Sequence, residues 1–275
     1  MKFSIIGTGF IFPAHVQAIR DAGGEIRDIV NDVHGQDIWK SIVKNTDADC
    51  IVILTPNDLH FDMAMFSAGN DKIVLCEKPL VIKSEHAKVL AEKPNIFTVL
   101  QLKYHPLVEE IRKAISGRQK NEIEMSIFFK RGEDYANGWK GDKKRSGGFL
   151  FNLGIHYFDL LLYLFGDVKK IETKMIKEKI VNGLTDAEAR GTIEGENYIC
   201  NWIIGINKKN NGEIIKKREF IINGEFYNFS SKDSLAEENL HKFVYQDLLV
   251  KKGITPLEAL KSIELIERLY DSYKK

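Results

Sequence analysis

The sequence predicts two domains, an α/β domain on a parallel sheet covered on both faces and an α+β domain with an open, mainly antiparallel sheet. Three observations predict this. Short apolar runs alternate with helical patterns over roughly the first hundred residues; longer strand-like runs parted by Gly- and Asn-rich turns follow from about residue 120; and 275 residues suffice for two cores. The expected division is 1–119 and 120–275, with the option that the C-terminal helix packs back on the first domain.

The elements follow in order. "FSIIG" is a β-rich run, and "PAHVQAIRDAG" is a helix with Pro13 in its first turn and Gly23 at its end. "EIRDIVND" is the second strand, "HGQDIWKSIVKNT" has helical spacing, and "CIVIL" is a fully apolar third strand. "NDLHFDMAMFSAG" reads as a helix capped by Asn57 and closed by Gly69, before "KIVLC", "SEHAKVLAEK" and "IFTVLQ" continue the alternation. Five buried strands separated by helices make a parallel sheet, which binds ligands at the carboxyl ends of its strands. In the second half, "NEIEMSIFFKR" is a longer strand followed by the helix "GGFLFNLGIHYFDLL". Four further strand-like runs between 169 and 224 alternate with turn residues, and 235–251 and 256–273 regain helical spacing.

Composition narrows the function classes. Hydrophobic residues at 44% and charged residues at 29% are those of a globular chain, and a net charge of +1 supplies no footprint for nucleic acid or a membrane surface. Cys50, Cys76 and Cys200 are odd in number and far apart, which argues against a disulfide framework or structural zinc and for a reducing cytoplasm. No metal site is expected, and no apolar stretch reads as long enough to span a membrane.

"GTGFIF" at 7–12 lies between the first strand and first helix. Gly7 permits the tight turn, Gly9 lets backbone approach a pyrophosphate at the helix N-terminus, and Phe10 and Ile11 complete the loop; Phe12 replaces the usual third glycine. Asp32 stands 23 residues after Gly9, where an acid binds the adenosine ribose and repels a 2′-phosphate. These features make the first domain a Rossmann-type nucleotide-binding domain and favour NAD over NADP. In "TPNDLH", Thr55 and Asn57 end the third strand at the same edge, and His60 is either a crevice residue or a packed one. In "VLCEKPLVI", Pro79 stops the fourth strand, so Glu77 and Lys78 leave the sheet near that crevice; alone, the pair reads equally well as a surface salt bridge. Gln101, Lys103 and His105 follow the fifth strand. On the helix at 147–161, Asn152, His156 and Asp159 share one stripe at 3.6 residues per turn, facing either a core or a pocket.

Together, "GTGFIF", "TPNDLH", "CEKPL" and "GGFLFNLGIHYFDLL" resemble, in order and over nearly the whole chain, the Gfo/Idh/MocA family of NAD(P)-dependent sugar oxidoreductases. The resemblance implies that Lys78 and His156 face substrate beside the nicotinamide, and it tips the stripe toward a pocket. Most members carry an aspartate where this chain has Asn152, so no proton relay through that position is implied. "TVLQLKYHP", "KRGEDYANGWKGDKKRSGG" and "REFIINGEFYNF" narrow the resemblance to the WlbA/WbpB branch. That branch oxidises C3 of UDP-N-acetylglucosaminuronic acid in bacterial surface-polysaccharide synthesis, with 2-oxoglutarate as a reoxidant of NADH in some members and a homotetramer assembled through the open sheet.

For such chemistry a base must take the hydroxyl proton while the hydride leaves. The ordinary pKa of an imidazole lies near neutrality, so His156 is the preferred base, with Lys78 polarising the reacting oxygen and Asn152 orienting the sugar; the reverse assignment of base stays open. Arg131, Lys140, Lys143, Lys144 and Arg145 are candidate anion contacts, and Tyr135 and Trp139 candidate stacking surfaces. Two rival readings remain at this point, a dehydrogenase of another sugar, inositol or nucleotide sugar, and a noncatalytic NAD-binding regulator.

Overall fold

The computed structural model of the chain describes residues 1–31, 38–230 and 240–273. Contacts divide it into two compact units, Met1–Tyr104 with Glu237–Ile263 and His105–Ala236 with Glu264–Lys275. The division thus falls at 104/105 rather than 119/120, and the chain crosses back near its end.

In the first unit, β1 (Lys2–Ile6), β2 (Glu25–Val30), β3 (Cys50–Ile53), β4 (Ile73–Cys76) and β5 (Ile96–Thr98) form one sheet in the order β2-β1-β3-β4-β5. Every pair is parallel. The connections carry α1 (Phe12–Asp21), α2 (Ile38–Asn45), α3 (His60–Gly69) and α4 (Ser84–Ala91). All four residues of β3 are buried, which is why it reads as an unbroken apolar run instead of an alternating one. The expected cap by Asn57 is not formed: Asn57–Leu59 make a 3-10 turn, and the N-cap positions are Pro56 and Leu59.

The second unit begins with α5 (Leu107–Ile115), whose Val108 and Ile111 are buried. β6 (Asn121–Phe129) leads through the short helices α6 (Glu133–Asn137) and α7 (Lys143–Ser146) into α8 (Ile155–Phe165). Arg112 of α5 lies over the Tyr163 ring of α8 at 4.5 Å, and this packing carries α5 into the second unit. The remaining strands are β7 (Val168–Val181), β8 (Leu184–Gly195), β9 (Tyr198–Ile206), β10 (Lys209–Asn210), β11 (Glu213–Ile214), β12 (Lys217–Ile222) and β13 (Glu225–Asn228). Five of them join β6 in a six-stranded sheet ordered β13-β12-β6-β9-β8-β7, in which β6 and β9 are the parallel pair. Three hairpins turn on Asn-Gly pairs (Asn182-Gly183, Asn211-Gly212 and Asn223-Gly224) with positive φ at both residues, the twist-matched turn of a two-residue hairpin.

Helix α8 packs on one sheet face, with Phe158 edge-on to Trp202 at 5.3 Å. On the strands of that sheet, Glu124, Lys174, Arg190 and Asn201 are exposed. The run Lys143–Phe165 is, contrary to the sequence reading, long and apolar enough by length and composition to cross a membrane; most of it is buried inside the protein as a core helix.

The last two helices are α9 (His241–Leu249) and α10 (Pro256–Tyr273). Helix α9 is counted with the first unit because Val244, Tyr245 and Leu248 enter the core formed by Phe3, Ile5, Ala18 and Ile19. Burial of each large apolar side chain contributes about 1.5–3 kcal/mol, enough in sum to hold a nine-residue helix in place.

Candidate active site

A parallel sheet sends all its strand ends the same way, so the loops after β1, β3, β4 and β5 gather along one edge. Gly7 begins the first. Its N–H donates to Val30 O (2.8 Å), its φ is +102°, and a Cβ there would lie 2.7 Å from Leu54 O. No other residue fits so close to two strand ends. A Cβ on Gly9 would meet nothing within 4 Å, which leaves backbone open to a ligand at the N-terminus of α1. Thr8 donates its hydroxyl to Asn31 Oδ1, tying the turn to the end of β2. Phe10 is 84% exposed, Ile11 is the N-cap of α1, and Phe12 packs against the core where the third glycine would stand. Asp32 lies outside the described residues.

Thr55 and Asn57 are buried at the next loop, with the Thr55 hydroxyl directed at Met63 Sδ (3.5 Å). His60 is wholly buried, and its ring spans two backbone carbonyls, Nδ1 to Pro79 O (2.8 Å) and Nε2 to Thr55 O (2.9 Å). Burial pushes its imidazole below the ordinary range, against the opposing pull of those bonds. His60 therefore sits between the loops after β3 and β4, and as a neutral ring its single N–H donates to one of these two carbonyls. Glu77 is also turned inward: it is buried and accepts from His15 and His241, not from a surface lysine. Lys78 is half-buried and joined to Pro79 by a cis peptide. Gln101 is buried, and its Oε1 has no hydrogen-bond partner among the described residues. Buried polar atoms are nearly always bonded, so this acceptor fits a group that a ligand brings. The glycine turn, the open space at Gly9 and this acceptor together fit a dinucleotide along the sheet edge. Lys103, half-buried, ends this unit's share of the candidates.

In the second unit, Gly147 (φ +79°) and Gly148 (φ +92°) turn the chain from α7 toward α8. A Cβ on Gly148 would lie 2.5 Å from the Tyr270 hydroxyl, which in turn accepts from Leu150 N (3.4 Å). Leu150–Gly154 then form a π-helical turn, so the stripe is not the uniform 3.6-residue helix that the sequence predicts. Such turns recur at functional sites. Asn152 lies in it and donates through Nδ2 to the Tyr135 hydroxyl (2.9 Å). His156 and Asp159 follow on α8, and both are buried. Burial pushes the carboxyl of Glu178 up, beside Tyr270 and Gly148.

The outer candidates differ in exposure. Arg131, Trp139, Lys140 and Arg145 are half-buried, whereas Lys143 and Lys144 are exposed. Lys143 Nζ sits 4.3 Å from the centre of the Tyr270 ring, and Arg131 lies over Phe129 at 5.0 Å. His105 is buried against Phe229, ring centres 4.9 Å apart.

Sequence comparison decides the family. Residues 1–99 match the NAD-binding Rossmann fold of an oxidoreductase family, and residues 121–246 match that family's C-terminal alpha/beta domain. The chain belongs to the Gfo/Idh/MocA family. Inositol 2-dehydrogenase of Rhizobium meliloti is 30% identical over 174 residues, 59% of this chain and 48% of the relative. Glucose-6-phosphate 3-dehydrogenase of Bacillus subtilis is 28% identical over 190 residues, 60% and 53% of the two chains. The chain thus matches about half the length of these curated relatives. Among solved structures, the WlbA (WbpB) dehydrogenase of Thermus thermophilus in complex with NAD and UDP-GlcNAcA superposes with a TM-score of 0.79 at 25% identity, covering 96% of this chain and 92% of that one. Levoglucosan dehydrogenase with NADH and levoglucosan shares the fold at a TM-score of 0.80 and 15% identity, covering 99% and 96%.

This Gfo/Idh/MocA chain therefore binds NAD through its first domain. Sequence reading missed the partners behind the candidates, namely His15, His241 and Tyr245 behind Glu77, and Tyr270 behind Gly148. No spacing rule links residues 15, 77 and 241; a lone histidine inside an apolar helix was the one available signal.

Proposed function

We propose that the chain is an NAD-dependent dehydrogenase that oxidises the C3 hydroxyl of UDP-N-acetylglucosaminuronic acid to the 3-keto sugar in cytoplasmic surface-polysaccharide synthesis. The observation that carries this reading is the WlbA neighbour: it aligns over 96% of the chain and holds NAD and UDP-GlcNAcA. Retention here of Lys78, Asn152 and His156 supports chemistry over a purely regulatory role.

NAD⁺, when bound along the loops of Gly7, Gly9, Thr55, Asn57 and Gln101, supplies the hydride acceptor. The chain's own residues do the rest. His156 takes the hydroxyl proton, because an imidazole changes charge near neutral pH without a large shift. Lys78 hydrogen-bonds the reacting oxygen and stabilises negative charge that develops there. Asn152, held by Tyr135, orients the sugar without titrating. Arg131, Lys140 and Arg145 hold the diphosphate and carboxylate; binding so far from C3 positions it, so truncated sugars should lose rate as well as affinity.

A structure of the same Thermus protein with NAD and alpha-ketoglutarate motivates 2-oxoglutarate as the acceptor that restores NAD⁺ here. The test is incubation of purified protein with the UDP-sugar acid, with and without 2-oxoglutarate, followed by mass spectrometry. A 3-keto product is expected. Oxidation of an inositol or an uncharged sugar in its place would discard this substrate and keep the dehydrogenase.

A further inference from the structure

Behind the sheet edge, the first unit buries a cluster of ionisable groups that the reaction above does not use. Glu77 Oε1 accepts from His15 Nε2 (2.9 Å) and lies 3.4 Å from His241 Nε2; Glu77 Oε2 accepts from the Lys78 backbone N–H (3.1 Å). His15 Nδ1 meets the Tyr245 hydroxyl at 2.7 Å. His15, His241 and Tyr245 are at most 1% exposed, and they come from α1 and α9, far from Glu77 in sequence.

Two readings compete. The ligand atoms of His15, Glu77 and His241 lie within 4.8 Å of one another, so the set could hold a metal ion. The hydrogen bonds, however, close without one. Tyr245 donates to His15 Nδ1, a neutral His15 donates from Nε2 to Glu77, His241 donates the second proton, and Lys78 N–H the third. Burial keeps the His15 imidazole below its ordinary range, in keeping with the neutral ring. Burial alone would raise the Glu77 carboxyl, but the bonds from His15 and His241 outweigh it and hold the carboxyl well below the usual range.

The placement of this network gives it a task. Lys78 follows Glu77 directly, and its N–H is held by Glu77 Oε2, while the carbonyl of the following residue, Pro79 O, lies 2.8 Å from His60 Nδ1. The backbone from which the lysine side chain departs is thus clamped on one side by Glu77 and flanked on the other by His60. We propose that His15, His241 and Tyr245 are positioning residues, which fix the Glu77 carboxylate so that it clamps the Lys78 backbone in its reactive placement. The inference rests on the catalytic reading of Lys78. It also explains why α9 is packed on the first unit: that helix delivers His241 and Tyr245.

The test compares wild type with His241→Leu, His241→Gln and Glu77→Gln. His241→Gln keeps an N–H donor near the position of Nε2, His241→Leu removes it, and Glu77→Gln keeps the shape but not the charge if loss of the histidine impairs folding. Hydrogen exchange of the peptide carrying Lys78 reads the clamp directly. We expect exchange there to rise at least tenfold in His241→Leu and Glu77→Gln, and to stay near wild type in His241→Gln. With whichever sugar the wild type oxidises, kcat should fall at least tenfold in the same two variants and recover in His241→Gln, while the KM for NAD stays within threefold. Unchanged exchange, or faster exchange with unchanged kcat, would overturn the proposal; so would one transition-metal ion per chain in the purified protein. Exchange and metal content need no sugar, so they judge the network even if the UDP-sugar acid fails as substrate.

Discussion

At the scale of single residues, Lys78 and His156 should matter to chemistry more than to folding. Replacing Lys78 by Met or His156 by Asn is expected to cut turnover by roughly 10²-fold or more, the usual contribution of a positioned acid or base, with NAD affinity preserved by calorimetry. Unchanged turnover in both variants would move the site elsewhere. Asp32 should set cofactor choice through repulsion of a 2′-phosphate, so calorimetry should find NAD bound more tightly than NADP. Equal affinities would remove that role. Residues whose backbone demands are peculiar were legible in the sequence: Gly7 is needed because a Cβ would strike Leu54 O at 2.7 Å, and Pro79 because a ladder must stop. Glu77 was legible only as a charge. Its partners His15 and His241 lie 62 residues before it and 164 after it, and only the folded chain brings them together.

At the scale of elements, the turn entering α8 is the most exposed to disruption. Gly148→Ala would require a φ of +92° and put a methyl group 2.5 Å from the Tyr270 hydroxyl. Combined backbone and steric strain of this kind costs about 1–3 kcal/mol. Denaturant unfolding should show that loss, and the variant should keep NAD binding while losing sugar turnover, since Asn152 and His156 follow the displaced turn. Stability equal to wild type would contradict the packing described. Alternation of apolar runs exposed the strands and helices of the first unit well, and Asn-Gly pairs marked the hairpins of the second. The π turn at Leu150–Gly154 was not legible, because nothing in an apolar run separates a π turn from an α turn; packing decides it.

For the whole molecule, burial of His15 and His60 makes stability fall in acid. His15 and His60 are both held below the ordinary value of 6.5 by burial. The unfolded chain therefore binds protons that the folded chain refuses, so stability is complete above about pH 6.5 and is lost as pH falls toward the folded values. Glu77, held well below its ordinary 4.5, adds a further loss in more acid solution. Thermal unfolding should show a Tm that declines on acidification from about pH 6.5, and a flat profile down to pH 5 would contradict the burial argument. The periodicity changes near 119/120, but α5 looks the same in sequence whichever core receives its apolar face. Association through the sheet strands bearing Lys174 and Arg190 is expected to give a tetramer by light scattering; a monomer at working concentration would reject it. The central claim, that Lys78 and His156 serve sugar oxidation, is tested most directly by a single turnover. Enzyme loaded with NAD⁺ is mixed with excess UDP-N-acetylglucosaminuronic acid, and the absorbance of reduced nicotinamide is followed beside the Lys78→Met and His156→Asn variants. The account predicts a prompt rise approaching one equivalent per bound cofactor in wild type and a rate at least 10²-fold lower in the variants. No rise with this or any other sugar, or equal rises in all three proteins, would contradict it.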